Sequence, residues 1–339
     1  MVLKVAVIGA GIIGVSTALR VLESNPGKVD VRIFSGRQSP FNTSDVAAGF
    51  WEPIYMSNTA PELQSRWGVE TYKFLEKYVN HDVGRNAGIF YLSGYQLFPE
   101  QEVKSPPWKD LIPDFRLLTR EELDRYPGSK SGFFFTSLIA QGSKLIPWLT
   151  ERFLALGGKS TVRTIKNLNE LAFEYDIVIN CSGLEARHLT RDDKLFPIRG
   201  HVLRVKAPWL KHFILRDTNP PSYAIPNEDW VIVGGTTHRD NWSTIPTDTD
   251  RRSILEGISK LVPALAKAPV LGEYVGLRPG RDEVRLESEH VQYGTKKFQV
   301  IHNYGHGGGG LSVFWGCAGD VNNLVQDTIK QRGTLHSKM

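Results

Sequence analysis

Residues 5–14, Val5-Ala6-Val7-Ile8-Gly9-Ala10-Gly11-Ile12-Ile13-Gly14, constrain this chain more than any other stretch. Four consecutive apolar residues suit a parallel strand buried on both faces, and a G-x-G-x-x-G follows at once. From Ile13 to Glu23 the apolar residues cover a wide helical face, which Asn25, Pro26 and Gly27 end. Val29, Val31 and Ile33 then alternate as a second strand, completing a βαβ unit of about 30 residues. In such a unit Gly9 permits the tight turn, Gly11 lets the backbone approach a pyrophosphate, and Gly14 lets the helix pack against the strand. The anion then sits on the helix N-terminus. A dinucleotide site walled by Gly9, Ala10, Gly11, Ile12, Ile13 and Gly14 is the expectation. The acidic residue that holds the ribose hydroxyls is missing from Phe34-Ser35-Gly36-Arg37. Arg37 suits either a 2′-phosphate, which points to NADP, or the adenine or pyrophosphate of FAD, and the motif leaves both open.

At 339 residues the chain is long enough for two lobes. The net charge of +5 is spread without a basic block, which gives no footprint for nucleic acid or a membrane surface. Cys181 and Cys317 are the only cysteines, too few for a disulfide framework and without the spacing of a metal or redox pair, which favours a reducing compartment. No stretch reads as a signal peptide or a membrane span.

The middle of the chain carries antiparallel-looking strands such as Ile89 to Leu97 and Val231 to Gly235. A helix-like Ser143 to Leu156 and a buried strand in Asp176 to Gly183 return to the first pattern, and Gly305 to Gly310 opens a segment ending in an apolar helix from Gly319 to Ile329. The predicted architecture is α/β: a Rossmann-like lobe from 1–50, 138–196 and 285–332, interleaved with an α+β lobe from 51–137 and 197–284 that contains a mixed or antiparallel sheet. Residues 333–339 form a tail.

Six segments go further: VAVIGAGIIGVSTAL from Val5, NTSDVAAGFWEP at 42–53, DIVINCSGL at 176–184, FPIRGHVLRVKAPW at 196–209, VGLRPGRDEVRLE at 275–287 and IHNYGHGGGGLSVFWGCA at 301–318. Through them the whole chain resembles the D-amino acid oxidase and D-aspartate oxidase family. The resemblance implies noncovalent FAD, D-amino acid substrates and oxygen as acceptor. Thr43 and Ser44 offer hydroxyls to phosphate, Ala47, Ala48 and Gly49 leave room for a flat ring, and the GHGGGG run presents N–H groups at a helix start. Cofactor contacts are implied at Thr43, Ser44, Ala48, Gly49, Arg37, Ile165, Ser182, Gly183, Gly307, Gly309, Gly310, Leu311 and Ser312.

Arg278 lies in Val275-Gly276-Leu277-Arg278-Pro279, an apolar setting where an unpaired guanidinium needs an anion. It matches the family's arginine on the substrate α-carboxylate, Tyr223 matches the tyrosine that supports it, and the Gly308 carbonyl is implied to hold the amino group. Orientation then suffices for hydride transfer, with no side chain as acid or base. The short RDTNPPSY stretch (216–223) resembles the aspartate branch, with Arg216 to meet a side-chain carboxylate, and acidic substrates are the expectation. Two departures oppose it. Thr237 stands where that branch has a second arginine, with His238 and Arg239 displaced, and Glu52 would repel an acidic substrate unless Arg216 neutralises it. With Glu52 exposed, D-Arg or D-Lys would be favoured.

The rival classes are an NADP-dependent dehydrogenase, a flavin monooxygenase, for which no second G-x-G-x-x-G is seen, a non-catalytic nucleotide-binding module, and a sarcosine or glycine oxidase. The last three residues, Ser337-Lys338-Met339, approximate the Ser-Lys-Leu address read by the peroxisomal import receptor, which suits an enzyme that makes peroxide and predicts a peroxisomal location, with the cytoplasm as alternative. Oligomeric state is left open.

Overall fold

The structure is a computed structural model that describes residues 2–336; Ser337, Lys338 and Met339, which carry the import expectation, lie outside the described residues. The chain opens as β1 (Leu3–Ile8), α1 (Ile12–Ser24) and β2 (Val29–Ser35). There follow α2 (Thr43–Val46), α3 (Pro61–Glu76), α4 (Asp82–Asn86), β3 (Ile89–Phe98), β4 (Arg116–Leu117), α5 (Arg120–Leu123) and β5 (Ser131–Ala140). It returns through α6 (Gly142–Ala155), β6 (Lys159–Val162), β7 (Ile177–Asn180) and α7 (Ala186–Thr190). Next come β8 (Phe196–Val205), β9 (Phe213–Arg216), β10 (Ser222–Pro226), β11 (Val231–Gly234), β12 (His238–Arg239), α8 (Asp248–Ser259) and β13 (Val270–Gly280). The hairpin β14 (Arg285–Tyr293) and β15 (Lys296–Tyr304) leads into α9 (Gly310–His336).

Two sheets result. The first has the order β14-β15-β7-β1-β2-β6, parallel except for the antiparallel edge strand β14. The burial of β1 on both faces explains its unbroken apolar run. Val5 and Val7 feed one cluster with Ile177, Val31 and α1, while Ala6 and Ile8 feed another with Val178, Val300 and Phe34. The second sheet is antiparallel apart from the β3–β9 pair, and β13 lies against β8. The strands of the two sheets alternate along the chain. The expected boundary at 138 falls inside β5, which stays with the second sheet through its pairing with β3.

Helix α9 is longer than the sequence suggests. Gly310, Gly316 and Gly319 lower its intrinsic helix propensity, yet Gly316 is where α3 approaches, and a Cβ there would stand 2.6 Å from the Trp67 carbonyl oxygen. Helix packing against α1 and α3 overrides the propensity.

Candidate active site

A cleft of about 1530 Å³ opens at the carboxyl ends of β1, β2, β6, β7 and β15, where parallel sheets of this kind bind ligands. Gly9 turns there with φ 112°, and a Cβ on it would sit 3.0 Å from the Cys181 carbonyl carbon. Helix α1 begins with Gly11, which offers no side-chain cap, and its first turn has no acidic residue. Its first amides are therefore available to an anion, apart from the 3.4 Å bond that Ile12 N–H donates to Ser44 Oγ.

Gly9, Ala10, Gly11, Ile12, Ile13, Arg37, Thr43, Ser44, Ile165, Ser182, Gly183, Gly307, Gly310 and Leu311 all line the cleft, as do Gly308 and Arg278. Thr43 Oγ1 also donates to the Leu277 carbonyl at 3.1 Å, tying α2 to β13. Five expected cofactor residues do not line it. Gly14 stands behind the turn, where a Cβ would be 2.8 Å from the Gly9 carbonyl carbon. Gly49 abuts the Ala140 carbonyl oxygen, 2.5 Å from where its Cβ would be, and the Ala48 carbonyl accepts Asn227 Nδ2 at 3.1 Å. Gly309 faces the Ile54 carbonyl, and Ser312 Oγ accepts the Glu52 N–H at 3.0 Å. These residues shape the wall from behind.

The donor set fits a flavin dinucleotide. Two helix N-termini, those of α1 and α9, open into one cleft, and His306 between them is buried with no hydrogen-bond partner on Nε2. Burial alone lowers His306 to about 3, so it stands neutral in the wall.

At the other end Arg278 is half-buried on β13 and has no carboxylate partner among the described residues. Its Nη1 donates to the Thr236 carbonyl at 3.2 Å. Tyr223 lies beside it; burial raises the phenol and the neighbouring guanidinium opposes that rise. The structure thus joins Arg278, Tyr223 and Gly308 in one region, with Arg278 unpaired as the sequence requires.

Arg216 is not there. On β9 it is paired with Ser222, one residue out of phase with Tyr223 and Leu215, so it points to the opposite face of the sheet. Its guanidinium donates to the Pro127 carbonyl at 2.8 Å and Ser129 Oγ at 3.0 Å. The expected neutralisation of Glu52 by Arg216 is therefore absent. Glu52 instead accepts Gln96 Nε2 at 3.0 Å; burial raises it to about 7, the Gln96 bond opposes this, and Asp217 adds to it. Nor does Arg239 approach: it lies over the Phe196 ring at 3.7 Å, His238 Nε2 lies 3.8 Å from Asp250, and Thr237 is exposed.

Sequence reasoning missed three neighbours. Tyr55, exposed and at φ 63°, accepts the Gly308 N–H on its carbonyl at 3.2 Å, and its phenol lies near Glu52, Asp217 and Tyr223. Gln96 and Asp217 are the other two neighbours of Glu52. Gln96 stands on β3, two strands from Tyr223, and Asp217 follows β9, the strand next to it, so only the folded sheet brings them in.

The FAD dependent oxidoreductase family matches residues 4–324. A D-amino acid oxidase of Dugesia ryukyuensis is 41% identical over 333 residues, 96% of this chain and 98% of that protein. A human D-aspartate oxidase is 40% identical over 329 residues, covering 96% and 95%. Among solved structures, glycine oxidase from Geobacillus kaustophilus superposes with a TM-score of 0.76 at 17% identity over 96% of this chain and 95% of that one, a likeness of fold. With the flavin-fitting cleft and the unpaired Arg278, these similarities mean that the chain belongs to the FAD-dependent oxidoreductase family that includes the D-amino acid and D-aspartate oxidases.

Proposed function

We propose that the chain catalyses FAD-dependent oxidative deamination of D-amino acids to 2-oxo acids and ammonia, with O2 as acceptor and hydrogen peroxide as product. One observation carries this reading: Arg278 lines the cleft without a carboxylate partner among the described residues, beside Tyr223. Held noncovalently along Gly9 to Ile13, Ser44, Ile165, Ser182 and Gly307 to Leu311, FAD supplies the acceptor for the Cα hydride. Neither cysteine suits attachment, since Cys317 is fully buried and burial lifts the Cys181 thiol to about 12.

Arg278 pins the α-carboxylate as a two-pronged donor, Tyr223 supports the same group, and the Gly308 carbonyl receives the amino group. Three fixed points define the handedness that directs a D-enantiomer's Cα hydrogen toward the cofactor face. At the start of α9 backbone carbonyls take the N–H groups of Gly307, Gly308, Gly309 and Ser312, which leaves those of Gly310 and Leu311, on the cleft wall, to meet negative charge there. The imino product hydrolyses in water.

The site favours neutral and cationic D-amino acids, because Glu52 and Asp217 lie near the Tyr55 phenol, which also meets Tyr223 and Arg278, while Arg216 faces away. Acidic substrates are the second reading, supported by the D-aspartate oxidase relative and by protonation of Glu52 below about 7. Anaerobic mixing with D-Ala, D-Arg, D-Asp and D-Glu, followed by flavin absorbance, tests both. Failure of every D-amino acid to bleach the flavin overturns the oxidase reading, and fastest bleaching by D-Asp overturns the neutral or cationic preference. We also infer import into the peroxisomal matrix through Ser337-Lys338-Met339, supported by the peroxide product. A fluorescent protein carrying this tail should appear in puncta; diffuse cytoplasmic signal refutes import.

A further inference from the structure

We propose that Gly200, Gly234 and Gly235 are positioning residues: they form a side-chain-free floor on which Arg278 and Tyr223 lie flat and meet. Four strands stand in the order β13-β8-β11-β10, so Arg278 and Tyr223 arise from strands separated by two others. They are offset along the strands as well, since Tyr223 aligns through Gly234 and Val202 with Tyr274, four residues from Arg278. A side chain at the positions of β8 and β11 that these two groups cross would stand in their way. Register puts Gly276 opposite Gly200, Gly234 opposite Tyr223 and Val202 opposite Gly234, so these residues share that face.

The floor is in close contact with both groups. A Cβ at Gly200 would lie 2.7 Å from Cζ and Nη2 of Arg278. A Cβ at Gly234 would lie 2.7 Å from Tyr223 Cε2, and one at Gly235 would lie 2.6 Å from the Tyr223 hydroxyl. Beyond the floor, Thr236 fixes the far side of the guanidinium through its carbonyl, while its own Oγ1, buried, takes the His201 N–H at 2.8 Å. Glycine inside a buried strand weakens it and marks a place where another group comes close. Here the approaching atoms are the ends of two side chains. The atoms a methyl group at Gly200 meets first are therefore those of the guanidinium, the far end of a flexible side chain, which must move.

This rests on the reading of Arg278 as the carboxylate clamp. The test compares wild-type holoenzyme, G200A, R278A and the double variant, measuring flavin content, steady-state kinetics with the best D-amino acid, and the flavin spectral shift on titration with benzoate as a carboxylate probe. G200A should keep its flavin, bind benzoate at least about tenfold more weakly and lose roughly a hundredfold in kcat/KM, the scale of a 1 Å misplacement. In the R278A background the same substitution should change little, since the group it displaces is gone. Equal losses in both backgrounds, wild-type benzoate affinity, or loss of flavin by G200A each overturn the seat at Gly200. If G200A loses its flavin, G234A against Y223F examines the Tyr223 half by the same measurements, and additive losses there overturn it too. A wild-type flavin that binds benzoate but is reduced by no D-amino acid defeats the function proposed above and leaves the seat measurable.

Discussion

Replacing Glu52 with Gln tests the electrostatics of the substrate chamber. Glu52 is held at about 7 against an ordinary 4.5, mainly by burial, with the Gln96 bond opposing and Asp217 adding to the rise. The groups around it are Gln96 of β3, Asp217 after β9 and the Tyr55 phenol. A rise of that size corresponds to about 3 kcal/mol between the protonation states. Because the folded state holds its proton more tightly than the unfolded chain, the contribution is complete below pH 4.5. It is lost as pH climbs toward 7 and stays lost above it. Gln keeps an acceptor for Gln96 Nε2 and cannot ionise. Thermal melts of flavin-saturated wild type and E52Q should therefore coincide near pH 4 and separate to about 3 kcal/mol in favour of E52Q at pH 8. The difference between the two proteins cancels the titrating groups that do not interact with Glu52. A gap that is constant from pH 4 to pH 8 refutes the assignment. In kinetics the same variant should gain on D-Asp relative to D-Arg at pH 8, and an unchanged ratio removes Glu52 from side-chain selection.

R278A should retain flavin absorbance and lose about 10²- to 10⁴-fold in kcat/KM, the value of two charge-assisted hydrogen bonds at about 1.5–3 kcal/mol each; unchanged kinetics refute the clamp. R216A should leave the ranking of D-Asp, D-Ala and D-Arg as it is, because its guanidinium bonds Pro127 and Ser129 on the other face; a collapse of D-Asp turnover alone would show that this arginine reaches substrate. G14A sets a Cβ against the backbone of Gly9, which cannot swing aside as a side chain can, so the purified protein should have far less flavin per chain than wild type. A wild-type ratio of flavin to protein would contradict the close helix-to-turn packing.

The first sheet was legible because its signals are local. A strand buried on both faces has no alternation, and Val5 to Ile8 has none; the glycine turn and the uncapped helix start follow within six residues. Arg278 was legible for a related reason, since a guanidinium in an apolar stretch demands an anion whatever the tertiary structure. Arg216 misled because spacing along the chain does not encode which face of a strand a residue occupies, and a one-residue phase reverses it. Gln96 and Asp217 were invisible because β3 meets β9 in parallel across more than a hundred residues, and Tyr55 because only its contact with Gly308, far along the chain, brings it in. Of the five wall residues that miss the cleft, Gly14 packs as its place in the glycine motif implies, whereas neighbouring carbonyls close off Gly49 and Gly309, and Ala48 and Ser312 accept hydrogen bonds behind the wall.

The alternation of strands between the two sheets also dictates when the cofactor can be captured. In the first sheet β1 is flanked by β2 and β7, and β7 in turn by β15, so the cleft edge around Gly307 exists only after some 300 residues have left the ribosome. At about 5–20 residues per second that is roughly 15–60 s during which the glycine turn of β1 has half a binding site. Flavin loading is consequently a late event in the life of each chain, one that closes assembly instead of nucleating it.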